Sequence, residues 1–290
     1  MNKNIEKYLS QYYAKSTVKA YLREISIYLN NTKNAENYTY SDILNYIGLA
    51  RSRYSNARTI YRMLAAIKIY YQYLCFEQIR KDNPAQAIFL KDKPSKDVQL
   101  QDLFSAAELE QLLHYKAERT TCLAQRNKVL MSLLIYQALT PTEAEKLQLQ
   151  NVDLAEGTIY IASNPKNNSR NLPLKSQQIL LFKNYIETAR KALLKEQESL
   201  FLLVSQCGKK MPAGDITKHI RRYYKNAFLP RKVSARSIRQ SVITRLLKEK
   251  NDVRIVQAFA GHKYPGATEK YRQNNIEALQ IALEIYHPVK

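Results

Sequence analysis

Several short stretches of this chain set reactive or charged side chains at spacings that chemistry can use. Ala260-Gly261-His262 is followed, nine residues after the histidine, by Tyr271, so an imidazole and a phenol are one short segment apart. Arg236 and Arg239 stand three residues apart in Ser234-Ala235-Arg236-Ser237-Ile238-Arg239, a spacing that puts both on one helix face, away from Ile238. Two guanidinium groups there suit a phosphate, whose oxygens accept paired bonds from arginine. Lys166 lies in the turn-rich tip Ser163-Asn164-Pro165-Lys166-Asn167-Asn168, and Glu143 stands three residues after Thr140. Each group also has a plainer reading. Gly261 could be a helix C-cap beside a solvated His262, the arginines a solvated face, and Lys166 an ordinary turn residue. With 22 tyrosines in the chain, only its setting makes one of them special.

The elements that carry these residues follow from hydrophobic periodicity. Val18, Tyr21, Leu22, Ile25, Tyr28 and Leu29 form an amphipathic stripe, with Ser16 or Thr17 as its expected cap. A second helix is expected after a Ser41 cap through Ile43, Leu44 and Ile47. A third carries Ile60, Met63, Leu64, Ile67, Tyr71 and Leu74 on one face, with Arg58, Arg62 and Lys68 turned away from it. Asp82-Asn83-Pro84 should close this unit, because proline and its restricted predecessor stop a helix. Residues 89–103 are polar, contain Pro94 and show no apolar period, which reads as an extended linker.

Beyond the linker, Ser105 and Glu108 form a capping box after Phe104 and open a helix with Leu109, Leu112 and Leu113 on its buried side. A long apolar helix from Asn127 to Ala138 and a short one around Glu143 to Leu147 come next. They lead to a hairpin of Thr158–Ala162 and Arg170–Leu174 around the Lys166 tip. The rest reads as helical, broken at Cys207-Gly208, Leu229-Pro230 and Gly261, with Ile238, Val242 and Leu246 on the buried side of the helix that Ser234 opens. The expected fold is mainly α with a small β-hairpin, in two domains, 1–88 and 104–290, joined by 89–103.

Forty-six Lys and Arg against 25 Asp and Glu leave a formal charge of +21, far more than solubility needs and of the sign that attracts a polyanion. Nucleic acid leads as the partner, ahead of a ribosome-associated or membrane-surface role. Arg58, Arg62 and Lys68 in the first domain and Lys218, Arg221 and Arg222 in the second are the candidate phosphate contacts. Cys75, Cys122 and Cys207 are far apart and lack paired spacing, so neither a disulfide frame nor a zinc site is indicated. No G-x-x-x-x-G-K-[ST] loop or metal-ligand cluster occurs, and no cofactor is expected. No run approaches the roughly 18 apolar residues of a membrane span, and Met1 to Glu6 has no apolar signal core. A cytoplasmic, nucleoid-associated protein is expected.

Taken together, these motifs and their order resemble the tyrosine recombinases, the phage integrase family, over nearly the whole chain. Ala260 to Tyr271 is similar to the family's L-G-H box, with a threonine, Thr268, near the end and the nucleophilic tyrosine nine residues after the histidine. Ser234 to Ser241 resembles its H-x-x-R motif, with Arg236 where histidine is usual. Lys166 falls within one residue of the family's β-turn lysine. Gln137 to Glu143 resembles the G-L-R-x-x-E box, with Leu139 and Glu143 kept but Thr140 in place of the arginine. Thr140 is neutral and short, and its hydroxyl offers one hydrogen bond.

The resemblance implies a helical, SAM-like core-binding domain and a C-terminal α+β catalytic domain that clamp duplex DNA. It implies that Tyr271 attacks a phosphodiester, that Arg239 and Arg236 bind its non-bridging oxygens, and that His262 bonds the phosphate or helps with the phenol's proton. It also implies that Lys166 protonates the leaving 5′-oxygen and that Glu143 supports the pocket from behind. A tail carrying Ile276, Leu279, Ile281 and Leu283 would dock on a neighbouring protomer, giving a tetramer on paired sites. Two rivals share these residues. One is a catalytically impaired DNA-binding or regulatory protein on the same scaffold, which Thr140 favours; the other is a related strand-transfer enzyme such as a telomere resolvase or type IB topoisomerase.

Overall fold

A computed structural model describes residues 2–91, 103–115, 118 and 120–271, and the chain divides into two compact units, Met1–Lys96 and Asp97–Lys290. The described part of the first consists of α1 (Asn2–Tyr12), α2 (Lys15–Asn30), α3 (Tyr40–Arg53) and α4 (Ala57–Phe76). Their apolar stripes meet in a core of Leu9, Ile43, Ile47, Ile67 and Leu74, together with Tyr28, Tyr70 and Tyr71. The tyrosine-rich composition is used here. Buried phenols need hydrogen-bond partners, and the Tyr28 and Tyr71 hydroxyls lie 2.7 Å apart while Tyr71 donates to the Ala35 carbonyl at 2.6 Å.

Two expected caps are corrected. α2 begins at Lys15 after Ala14, with no side-chain cap, so neither Ser16 nor Thr17 serves. α3 is capped by Thr39 rather than Ser41, in a box with Asp42, whose carboxylate accepts from the Thr39 N–H at 2.8 Å. The two ends of the expected linker pack on the units that they flank. Leu90 packs on the first core and accepts from Tyr61 Oη at 2.6 Å, and Leu103 packs against the small cluster of Ile243, Val256, Ala260 and Tyr271 in the second unit. Residues 92–102 of it lie outside the described residues.

The second unit runs α5 (Ala106–His114), α6 (Thr121–Tyr136), α7 (Pro141–Lys146), β1 (Val152–Asp153), β2 (Thr158–Ile161), β3 (Arg170–Pro173) and α8 (Ser176–Asn184). A π-helical turn, Tyr185–Ala189, joins α8 to α9 (Arg190–Leu194); α10 (Ala213–Tyr223), α11 (Ala235–Lys248), α12 (Val253–Ala260) and α13 (Gly266–Glu269) follow. The sheet is antiparallel in the order β1-β2-β3, so the expected hairpin gains a two-residue edge strand, with Val152 opposite Ile159 and Ile161 opposite Arg170. α6 is buried nearly all round, against α5, α8, α11 and the π turn. Ser105 and Glu108 make the expected capping box. Gln137, just past α6, donates to the Pro173 carbonyl and exchanges bonds with Gln178 of α8, all at 2.9 Å, which fixes β3 against the helices. Among the described residues no helix is long and apolar enough to cross a membrane.

Candidate active site

The residues singled out in the second unit come from separate segments, and the fold gathers most of them. α7 contributes Glu143 and β3 contributes Arg170; α11 contributes Arg236 and Arg239. The C-terminal end of α12 contributes Gly261 and His262, and the segment after α13 contributes Lys270 and Tyr271.

Thr140 occupies the N-cap of α7, with Pro141 at the first helical position, and its side chain forms a capping box with Glu143. Both its N–H and its hydroxyl donate to Glu143 Oε2 at 2.8 Å. The other carboxylate oxygen, Oε1, accepts from Arg170 Nη1 at 2.7 Å and Asn167 Nδ2 at 3.0 Å. Glu143 is buried, and burial by itself would push its carboxyl up. The bond and charge of Arg170, the Thr140 N–H and the charge of Arg239 outweigh that and hold it below the usual range.

Arg239 is also buried, with 8% of its surface exposed. Its Nη1 donates to the Ala138 carbonyl and lies 3.9 Å from Glu143 Oε2, and its Nη2 donates to the Ala260 carbonyl at 2.6 Å. Ala138 holds a left-handed φ of 50°, a strained value for a residue with a Cβ, and so aims its carbonyl at the arginine. Arg236, three residues earlier, is exposed. The two arginines share a helix but not an environment, which spacing alone does not distinguish.

Gly261 caps α12 with φ 70°, and its carbonyl accepts from the Asn168 N–H at 2.8 Å. His262 forms an antiparallel bridge with Asn167, so the tip that carries Lys166 is stitched to the Gly-His segment by backbone bonds. A Cβ on Gly261 would lie 2.5 Å from Arg170 Nη1. Glycine is therefore needed twice over at 261, for its dihedral and for the arginine beneath it.

The His262 ring lies nearly parallel to that of Tyr271, with centroids 6.4 Å apart and planes 9° from coincidence. Nδ1 of His262 pairs with Thr268 Oγ1 at 2.8 Å, and Thr268 is fully buried. Burial, then the charges of Arg239, Lys270 and Arg170, push the imidazole down to about 4, so it is neutral at pH 7. Tyr271 packs on Ile243, Val256 and Ala260. Burial raises its phenol; the charges of Arg239 and Arg236 and a bond with Gln240 act the other way without winning.

Lys166 is exposed at the tip, where its N–H is held by Asn164 Oδ1 at 2.9 Å. The basic residues proposed for DNA are placed unevenly. Arg58, Arg221 and Arg222 are exposed. Lys218 is exposed beside Asp215 at 3.6 Å. Arg62 pairs with the buried Glu24 at 3.0 Å, and Lys68 donates to the Gln86 carbonyl at 3.0 Å while lying over the Phe89 ring. The tail from Ile276 to Leu283 lies outside the described residues.

Arg170, Asn167, Lys270 and Gln240 were not foreseen as site residues. Arg170 did carry a signal: it alternates with Leu172 and Leu174 and so takes an inward position of β3, where a charge needs a partner. Chemically, the pocket places Arg170, Arg236, Arg239 and Lys270 around a phenol and a neutral imidazole, and the carboxylate that acts on them, Glu143, is already saturated. Such a site is built for an anion.

A mainly helical N-terminal unit followed by this helical unit with its small sheet defines the class of protein. The profile of the phage integrase family matches residues 102–278, and that of the phage integrase N-terminal SAM-like domain matches residues 5–78. The chain belongs to the phage integrase family. It is 27% identical over 282 residues to the tyrosine recombinase XerD of Oceanobacillus iheyensis, covering 94% of this chain and 92% of the relative. It is likewise 27% identical over 282 residues to XerD of Vibrio cholerae serotype O1, covering 95% and 91%. Among solved structures it is similar to the XerH site-specific recombinase bound to a palindromic difH substrate (TM-score 0.71, 20% identity, 93% of this chain and 80% of that one). It is also similar to the Tn1549 transposon integrase in complex with transposon right end DNA (TM-score 0.68, 17% identity, 99% of each chain).

Proposed function

We propose that this protein cuts and rejoins duplex DNA at specific sites through a 3′-phosphotyrosyl intermediate. The observation that carries the reading is the convergence of Arg239, His262 and Tyr271, contributed by three different segments, around one pocket of positive charge. Tyr271 Oη attacks the phosphorus and forms the O–P bond as the bond from phosphorus to the 5′-oxygen breaks. The phenol proton leaves towards His262, which is neutral at pH 7 and so able to accept it, and Lys166 supplies a proton to the departing 5′-oxygen. Arg236 and Arg239 stabilise the charge that grows on the non-bridging oxygens, and Glu143 holds the pocket from behind. A 5′-hydroxyl of another strand reverses the step. The covalent link conserves the bond's energy, so rejoining draws on no nucleotide.

Binding rests mainly on phosphate contacts from both units, with Arg58, Arg62, Lys68, Lys218, Arg221 and Arg222 contributing, and affinity falls steeply with salt. Exchange of strands between two sites requires a tetramer. A second reading, a silent DNA-binding protein on this scaffold, is favoured by one observation: the N-cap position of α7 that would hold the first arginine holds Thr140, whose hydroxyl is committed to Glu143.

The test is covalent trapping on randomly nicked genomic duplex, where a cleaved fragment ending in a 5′-hydroxyl diffuses away and leaves the adduct stranded. An adduct that survives denaturation, disappears with Tyr271→Phe and leaves duplex binding unchanged is the expected result. No adduct from wild-type protein that binds the same DNA would establish the silent reading.

A further inference from the structure

Resting on the strand-exchange reading, we infer that Lys270 is a phosphate-binding catalytic residue, the cation that takes over charge neutralisation from the arginine absent at position 140. Its ammonium lies 5.1 Å from the centroid of the Tyr271 ring, on the same backbone segment as the nucleophile and one residue before it. The side chain is exposed, and its flexible four-carbon stem carries the ammonium over the face of that ring. Among the described residues no acid pairs with it. Partial desolvation and the charges of Arg236 and Arg239 all press its ammonium below the ordinary value. Three cations that repel one another are relieved together when a phosphate arrives.

The other candidates for the missing charge are less free to act by contact. Thr140 has no charge and spends its hydroxyl on Glu143. Arg170 is buried beneath Gly261, with Nη1 held by Glu143. Its Nε and Nη2 lie inside the protein without partners, so its charge acts on the pocket at a distance. Arg236 restores the number of guanidinium groups on α11. Lys270 adds a cation on the nucleophile's own segment, so whatever brings Tyr271 to the phosphorus brings the charge with it. A lysine that merely stacked on the tyrosine ring would share the geometry, and the experiment must separate the two.

On the duplex sequence recovered from wild-type adducts, Lys270→Met should slow adduct formation about 100-fold, the typical loss for one preorganised donor, and Lys270→Arg should stay within about tenfold of wild type. Replacing a non-bridging oxygen of the scissile phosphate by methyl removes the negative charge. On that methylphosphonate duplex Lys270→Met should react about as fast as wild type. An unchanged rate for Lys270→Met on ordinary DNA, or a loss that methylphosphonate does not restore, overturns the proposal and leaves strand exchange standing. If wild-type protein forms no adduct, the strand-exchange reading fails on its own, and Lys270 is tested by binding to a short fluorescent duplex of arbitrary sequence. There Lys270→Met should reduce the slope of log affinity against log salt by about 1, while Lys191→Met, exposed on α9, leaves it unchanged. Equal slopes for wild type and Lys270→Met overturn the proposal in that case.

Discussion

Gly261→Ala puts the packing of the site to its most direct test, because the structure specifies what the added methyl meets. The residue sits at φ 70°, and an L side chain in that region costs about 1–2 kcal/mol. The new Cβ would lie 2.5 Å from Arg170 Nη1, 3.1 Å from Arg170 Cζ and 3.1 Å from the Asn168 carbonyl oxygen. That carbonyl belongs to the stretch whose N–H bonds Gly261 and cannot retreat without opening the stitch. Arg170 must therefore move, and it is no loose surface chain: it is buried and holds Glu143 at 2.7 Å. Breaking a buried pair costs about 3–5 kcal/mol, and part of that is recovered if the guanidinium shifts rather than leaves. The sum is on the order of 4 kcal/mol, a large share of a domain's usual 5–15 kcal/mol. Hydrogen exchange of the α6 amides in the intact chain reads the second unit by itself, and their protection should fall by that amount. A double-mutant cycle sharpens the attribution. In an Arg170→Ala background the methyl has lost its main obstacle, and Gly261→Ala should cost only the dihedral term and the Asn168 contact, about 2 kcal/mol. If the two substitutions instead add to within about 0.5 kcal/mol, the arginine is not what excludes the methyl and the packing argument is refuted.

Arg236→His should lower adduct formation at least about 100-fold, because α11 then presents one guanidinium where the site lacks its first arginine; an unchanged rate in the trapping assay removes the compensation idea. Thr140→Arg in that background should recover part of the rate while destabilising α7 by about 1 kcal/mol through loss of its cap, the first seen in the same assay and the second by denaturation. Stability should also fall with acid in a defined window. His219 and His262 are both pushed down to about 4, chiefly by burial, against an ordinary 6.5. Between those values the unfolded chain binds protons that the folded chain refuses, so these two groups lower stability as pH drops from 6.5 towards 4, and their contribution levels off below 4. At pH 5 the two groups together should cost about 2 kcal/mol after allowance for partial exposure, and the melting temperature should be lower than at pH 7. A melting temperature independent of pH across that window would contradict the burial of both rings.

Much of this fold is local and therefore legible in the sequence. The Ser105–Glu108 box, the Ser234 cap and the Gly261 stop are written in adjacent residues, and the structure keeps all of them. The misplaced caps failed for a reason of the same kind. Thr39 uses Asp42 where glutamate is the usual partner, and Lys15 starts its helix without any cap, so apolar periodicity marked the middle of each helix better than its start. β1 escaped because two residues carry no alternation to read. Depth is harder still. Spacing put Arg236 and Arg239 on one face, but only the carbonyls of Ala138 and Ala260, far apart in sequence, decide that Arg239 is swallowed and Arg236 is not.

The position that departs from the family shows what the pocket requires. A buried carboxylate such as Glu143 persists only if its oxygens are bonded and its charge is answered. Thr140 bonds it without answering its charge, so the charge must come from elsewhere, and it comes from Arg170 on β3 with Arg239 behind. With Arg170 held by Glu143 in this way, Arg239 is the one cation the buried layer has for a phosphate among the described residues, and any further charge must lie at the pocket's open side. Arg236 and Lys270 are exposed there, one on the helix that grips and one on the segment that attacks. Stabilisation of a growing charge depends on fixed cations near it rather than on which element supplies them. On the strand-exchange reading, threonine at 140 therefore does not by itself make the site inert. It moves the dependence of the reaction onto exposed side chains, whose removal should be felt in rate far more than in stability.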